Sequence, residues 1–237
     1  MNKNKINEKL KEIFSMGYID NICVDRKNDD GNIGQTLERV FGIEENNKAS
    51  PDFSDCGTEL KTSRNKTKSK ITLFTKSPNI GMKTKDIFDT YSYTSRSKRD
   101  PSLIKKKLNT TIKYGKYNNR GFILKTEGDN VYIYKKENDT DILICGWENI
   151  ECQKIENTLL VFADTKGKTN SKEEIFHYTS AVWLENPISL TEAIKEGLIV
   201  VEFAMESADG KLHDRGVKFR ISKKNLYKMF KNVEFVE

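Results

Sequence analysis

A chain of 237 residues with 36% hydrophobic, 32% charged and 10% aromatic residues is polar for a globular protein, yet it holds enough apolar material for a core, which excludes a disordered chain. No run of about 18 apolar residues is present and the first residues are polar, so neither a membrane span nor a secretory leader is expected. The four cysteines, Cys23, Cys56, Cys145 and Cys152, form no Cys-X-X-Cys pair and accompany only two histidines, His177 and His213; this argues against structural zinc and for free thiols in a reducing cytoplasm.

The net charge of +6 conceals an asymmetry. From Lys61 to Lys125 there are 18 Lys and Arg against three acids, net +15, while the remaining 23 basic and 32 acidic residues leave −9. A block this basic points to a polyanionic partner.

In chain order, Ile6, Leu10, Ile13 and Phe14 share one face of a helix over 5–16, stopped by Gly17. A polar connection over 18–32 ends in Asp29-Asp30-Gly31. A second helix over 33–41 carries Leu37, Val40 and Phe41 and ends at Gly42, with Glu38 beside that apolar stripe. Such a glutamate is either a surface residue or is aimed into a site shared with Asp52. A polar loop over 43–51 leads to a strand over 58–62. The basic stretch 63–70 is expected to be a loop, 71–76 a strand, 84–91 a short helix, 92–101 a loop, and 102–109 a short helix carrying Lys105, Lys106 and Lys107. A run of strands follows over 110–116, 121–126, 130–135, 140–145 and 158–164; the last is continuously apolar, as in a strand covered on both faces. A strand over 175–184, a helix capped by Ser189, a strand over 198–204, a polar loop over 205–215, a strand over 217–221 and a helix over 223–230 complete a mixed α/β chain.

The chemistry concentrates at Asp52 and at Glu59-Leu60-Lys61. Side chains two apart on a strand point to one face, so Glu59 and Lys61 project together while Leu60 turns to the core. Asp52, on the preceding turn, can return beside Glu59. Two carboxylates beside a lysine suit a metal-dependent phosphodiesterase: the carboxylates hold a hard cation, and the lysine orients water or stabilises the phosphorane oxygens. Taken alone, the same spacing also describes a solvated turn and a charged edge strand.

Further residues carry a resemblance. Gly31-Asn32-Ile33-Gly34-Gln35-Thr36-Leu37-Glu38, Phe41-Gly42, Glu45-Asn46-Asn47, Asp52-Phe53, Glu59-Leu60-Lys61-Thr62 and Leu73-Phe74-Thr75-Lys76 follow one another. Lys105-Lys106-Lys107-Leu108 with Thr110-Thr111-Ile112-Lys113, Leu160-Val161-Phe162-Ala163, Phe176-His177, His213-Asp214-Arg215-Gly216 and Phe219-Arg220-Ile221 come after them. Together they resemble the MutH/MvaI/BcnI group of PD-(D/E)XK nucleases, the BcnI branch in particular, over most of the chain. The resemblance implies a restriction-endonuclease-like core with a central mixed sheet in one nuclease domain. Two lobes would flank a DNA cleft, a catalytic one around 30–76 and a recognition one around 205–222.

It further implies Asp52, Glu59 and Lys61 as the catalytic trio, with Asp52 and Glu59 as metal ligands and Glu38 as an added carboxylate. The implied cofactor is Mg²⁺, with Mn²⁺ substituting and Ca²⁺ binding without supporting cleavage. Implied partners are double-stranded DNA and, in function, a cognate DNA methyltransferase of the same bacterial cytoplasm. The enzyme would act as a monomer that nicks the strands in turn at a short C- and G-rich pseudopalindrome.

Where BcnI-like enzymes carry two histidines for the central base pair, this chain has Thr75 and Lys218. Threonine can donate or accept, whereas lysine only donates. The expected site is therefore of CCNGG type with the central pair open. His213, Asp214, Arg215 and Arg220 are further candidates for reading bases, Lys66, Lys68, Lys70, Lys106, Lys107 and Lys113 for holding phosphates, and Lys76 is a further DNA-binding candidate. Two rivals remain: a MutH-like strand-nicking repair enzyme, and a DNA-binding protein without activity.

Overall fold

Asn2 opens the first helix of the computed structural model by accepting a hydrogen bond from the Lys5 amide through its side chain. The structure describes residues 1–22, 31–43, 50–96, 102–150, 155–208 and 211–237; the side chains of 208, 211 and 213–215 lie outside that description. Asp29-Asp30, Glu45-Asn46-Asn47 and residues 97–101 of the expected loop over 92–101 therefore fall outside the described residues.

The elements in chain order begin with α1 (Lys3–Ser15), α2 (Asn32–Phe41), β1 (Thr58–Arg64), β2 (Ile71–Thr75), β3 (Ile80–Gly81), α3 (Thr84–Tyr91), β4 (Tyr93–Arg96) and β5 (Ile104–Ile112). They continue with β6 (Phe122–Glu127), β7 (Asn130–Glu137), β8 (Thr140–Trp147), β9 (Asn157–Lys166), β10 (Ile175–Pro187), α4 (Leu190–Lys195), β11 (Ile199–Ala208), β12 (Lys211–Ile221), α5 (Lys223–Met229) and β13 (Phe230–Val236).

The chain forms two compact units. The first comprises Met1–Ser69, Cys152–Pro187 and Phe230–Glu237. Its mixed sheet has the order β1-β9-β10-β13, with β1 parallel to β9 and the other pairs antiparallel. The apolar stripes of α1 (Ile6, Leu10, Ile13) and α2 (Ile33, Leu37, Phe41) join Leu60, Leu159, Val161 and Trp183 in one buried cluster. Buried polar atoms in it find partners: Tyr178 donates to the Ile33 carbonyl at 2.7 Å and the Trp183 indole to Asn7 at 2.8 Å. β9 lies inside the sheet, and Thr158 through Val161 are all buried, as a continuously apolar run requires.

The second unit comprises Lys70–Glu151 and Ile188–Met229. It holds an antiparallel five-stranded sheet, β2-β12-β11-β5-β4, and an antiparallel four-stranded sheet, β3-β8-β7-β6. Aromatic contacts join the two sheets: Trp147 of β8 meets Phe219 of β12 edge-on at 5.0 Å and Phe122 of β6 meets Phe203 of β11 at 5.8 Å, while within the five-stranded sheet Phe74 stacks on Phe219 at 4.5 Å.

Several expectations about elements change, among them the loop over 92–101, of which Tyr93–Arg96 forms β4 by pairing with β5. Residues 104–112 form a strand, not a helix, because pairing with β11 on one side and β4 on the other outweighs the helical preference of three lysines. Much of the polar stretch 205–215 belongs to β11 and β12, whose pairing continues from Met205↔Asp214 to Ala208↔Lys211. Residues 230–236 form β13, an edge strand of the first sheet.

Candidate active site

The segment before β1 turns back on itself. Phe53 and Thr58 exchange two backbone hydrogen bonds, at 2.9 and 3.1 Å, around a 3₁₀ turn over Ser54–Cys56. Gly57 closes that turn at φ +64°, where a β-carbon would be strained. The turn brings Asp52 level with the middle of β1, where its Oδ2 accepts a hydrogen bond from the Leu60 amide at 2.9 Å. β1 is the edge strand of its sheet, so an aspartate supplies what a neighbouring strand would otherwise give.

Leu60 points into the core, and the strand's alternation turns Glu59 and Lys61 to the other face. Lys61 Nζ donates to Glu59 Oε1 at 3.4 Å, and both side chains are largely buried, 13% and 11% exposed. Two charges held in so dry a place depend on each other. The structure thus gathers Asp52, Glu59 and Lys61 around residues 59–61 of one strand.

Glu38 approaches the same strand from the Leu60 side. A β-carbon built on Gly34 would stand 3.4 Å from Thr62 Oγ1 and 3.9 Å from Glu38 Oε1, so helix α2, β1 and this carboxylate meet there. Asp52 and Glu59 offer oxygen donors only, the chemistry of a hard cation. Mg²⁺ is usually held by one or two carboxylates, keeps several waters and takes up phosphate oxygens from a substrate, so the pair fits it. Among the described residues no group of three or more His, Cys, Asp or Glu is gathered for a metal.

Apart from Lys66 and Lys68, which belong to the first unit, the other predicted residues lie in the second. Thr75 of β2 lies directly across from Lys218 of β12, Lys218 across from Glu202 of β11, and Glu202 across from Thr111 of β5. Cross-strand partners share a face, so these four form one row on the sheet. Phe74, Phe219, Val201 and Ile112 form the adjacent buried row. Thr75 is exposed, and Gly216 sits against it: at φ +71°, a β-carbon on Gly216 would collide with Thr75 Cγ2. Arg220 and Lys70 both donate to Glu202, each at 2.7 Å. Lys66, Lys68, Lys106 and Lys113 are exposed, while Lys76 and Lys107 are half-buried. The backbone of 213–215 runs within β12, but the side chains of His213, Asp214 and Arg215 are outside the described residues.

Sequence reasoning passed over Glu202 and the pair Arg64–Glu174, and gave Gly216 only as part of a motif. Glu202 had a signal: a lone carboxylate within Ile-Val-Val-Glu-Phe-Ala needs cations beside it. Arg64, from the basic block, makes two hydrogen bonds at 2.7 and 2.8 Å to the fully buried Glu174.

Residues 7–230 match the MvaI/BcnI restriction endonuclease family. The chain belongs to that family. It is accordingly a type II restriction endonuclease. Among solved structures, one described as "Restriction endonuclease MvaI-cognate DNA substrate complex" superposes with a TM-score of 0.80 at 23% identity, over 100% of both chains. Another, "Restriction endonuclease MvaI in the absence of DNA", superposes with a TM-score of 0.54 at 21% identity, covering 100% of this chain and 99% of that one. No curated protein matches in sequence. The structural likeness carries the fold, mixed α and β with several sheets, as the MvaI/BcnI resemblance implied.

Proposed function

We propose that this MvaI/BcnI-family enzyme hydrolyses phosphodiesters of double-stranded DNA with Mg²⁺ at a short C- and G-rich pseudopalindrome of CCNGG type. It does so as a monomer that nicks one strand and then the other. The observation that carries the reading is the Asp52–Glu59–Lys61 cluster, three side chains held by a turn and one edge strand.

Asp52 and Glu59 would hold the cation, Asp52 through carboxylate capacity beyond its bond to the Leu60 amide. Enzymes of the family typically use a divalent metal, and the ion when bound neutralises charge on the scissile phosphate and acidifies a water. Lys61, held next to Glu59, supplies a positive charge to the oxygens of the pentavalent phosphorus and orients the attacking water. Glu38 provides an additional carboxylate from α2. Two further supports are the basic block from Lys61 to Lys125 and the neighbour solved with its cognate DNA. Thr75 and Lys218, side by side in adjacent strands, are assigned to the central base pair.

The decisive experiment digests DNA of known sequence with the purified protein and Mg²⁺, then sequences the ends. Double-strand cuts at one short motif are expected. Single-strand nicks alone would favour the repair-type reading, and intact DNA would leave a binding protein. Lys61→Ala should lower cleavage on the order of 10²-fold or more with DNA binding retained. Cleavage by that variant near the wild-type rate would remove Lys61 from the site.

A further inference from the structure

We infer that Glu202 is a positioning residue of the reading face, which fixes Arg220 and Lys70 for site-specific contact and restrains their charge from binding DNA indiscriminately. The inference rests on the function proposed above and names a residue which that reading leaves out.

The geometry is a clamp. Glu202 Oε2 accepts from Arg220 Nη1 at 2.7 Å, while Oε1 accepts from Lys70 Nζ at 2.7 Å and from Thr111 Oγ1 at 3.0 Å. Arg220 Nη2 donates to the Lys70 carbonyl at 2.5 Å, so the same two residues are tied a second time. The Glu202 side chain is only 13% exposed, against 24% for Arg220 and 35% for Lys70, so the carboxylate is the inner member and the cations the outer ones.

A guanidinium has five N–H groups in a rigid fork. Two of Arg220's are engaged here and its Nε is buried, so the remaining terminal N–H groups point along directions that Glu202 and the Lys70 carbonyl determine. A fork so held can recognise a base edge only in one orientation, whereas a loose one can follow any phosphate. Glu202 also sits in the cross-strand row with Lys218 and Thr75, so a disturbance at Glu202 reaches the residues assigned to the central pair.

Two variants test this in the full-length enzyme. Glu202→Gln keeps the shape and the acceptor oxygen but removes the charge. The ratio of kcat/KM for the cognate site to that for a site with one base changed should fall about tenfold. Binding to an unrelated duplex should tighten, and its log–log salt slope should steepen by about one unit as a cation is released. Thr111→Val removes only the hydroxyl that fixes Oε1; it should lower the ratio by a few-fold with the slope unchanged. Thermal unfolding of both variants accompanies these measurements, because a merely structural role would lower Tm without moving ratio or slope. Unchanged ratio and slope in Glu202→Gln overturns the inference while the proposed function stands; should that variant fail to fold, an unchanged ratio in Thr111→Val does so. A wild type that cuts without site preference removes the function and the inference together.

Discussion

Gly216 and Thr75 show how one missing methyl group can aim another residue. Gly216 adopts φ +71°, costly for any residue with a β-carbon, and that carbon would strike Thr75 Cγ2. Gly216→Ala should therefore displace Thr75 and alter the order of cleavage rates among substrates that differ only in the central pair. Adding Thr75→Ser deletes the struck methyl group and keeps a hydroxyl, so the double variant should recover part of the original order. Rates on the four central-pair substrates check this; a single variant with the wild-type order would remove Thr75 from central-pair reading. Glu202 makes a second point at this scale, on pH. Burial works to raise its pKa, but hydrogen bonds from Lys70 and Arg220 prevail and hold it below the ordinary glutamate value. A carboxyl with a depressed folded pKa contributes stability that is complete above its unfolded value, about 4.3, and is lost as pH falls through the folded value. Acid unfolding should consequently be less steep below about pH 4.3 in Glu202→Gln than in wild type, measured by circular dichroism against pH.

At the scale of elements, β1 is an edge strand whose Leu60 amide is taken by Asp52, so this residue has a structural duty beside its chemical one. The two duties separate by substitution. Asp52→Asn retains an acceptor oxygen for the amide and should melt close to wild type while losing cleavage. Asp52→Ala leaves the amide without its partner and should cost about 1–3 kcal/mol as well. Denaturant titration with an unchanged m-value checks the difference; equal stability of the two variants would show that the hydrogen bond contributes nothing. β1 was legible in the sequence because Glu59-Leu60-Lys61 alternates and Gly57 stands where the turn needs positive φ. α1 and α2 were legible for the same reason, their apolar residues recurring at helical spacing against one core. β5 was not: Leu108 and Ile112, its two buried residues, are four apart, a spacing that a helix also satisfies. The far ends of β11 and β12 were hidden because most of their residues are polar, and their pairing shows only in the register of the two strands. For the same reason Glu202 could not be joined to Lys70 and Thr111 in advance, since they lie 132 and 91 residues away and meet only through sheet register.

Across the whole molecule, positive charge is uneven: net +15 between Lys61 and Lys125 and −9 elsewhere. Not all of it is available to DNA. Arg64 is tied to Glu174 and Lys125 to Asp141, whereas Lys66, Lys68, Lys106 and Lys113 stand exposed. Phosphate contacts and base contacts differ in how salt affects them. Each phosphate neutralised releases counterions, so log K falls with log salt by about 0.9 per contact on duplex DNA, whatever the sequence. Replacing a lysine that touches phosphate, such as Lys66→Ala, should lower that slope by nearly one unit and weaken cognate and non-cognate duplexes alike. Replacing Thr75, which carries no charge, should leave the slope unchanged and alter only the ratio between duplexes. Binding isotherms over a series of salt concentrations, with one cognate and one altered duplex, separate the two classes. A lysine whose loss leaves the slope unchanged is no phosphate contact, and a Thr75 variant that lowers the slope would mean this row of the sheet holds the backbone rather than the bases.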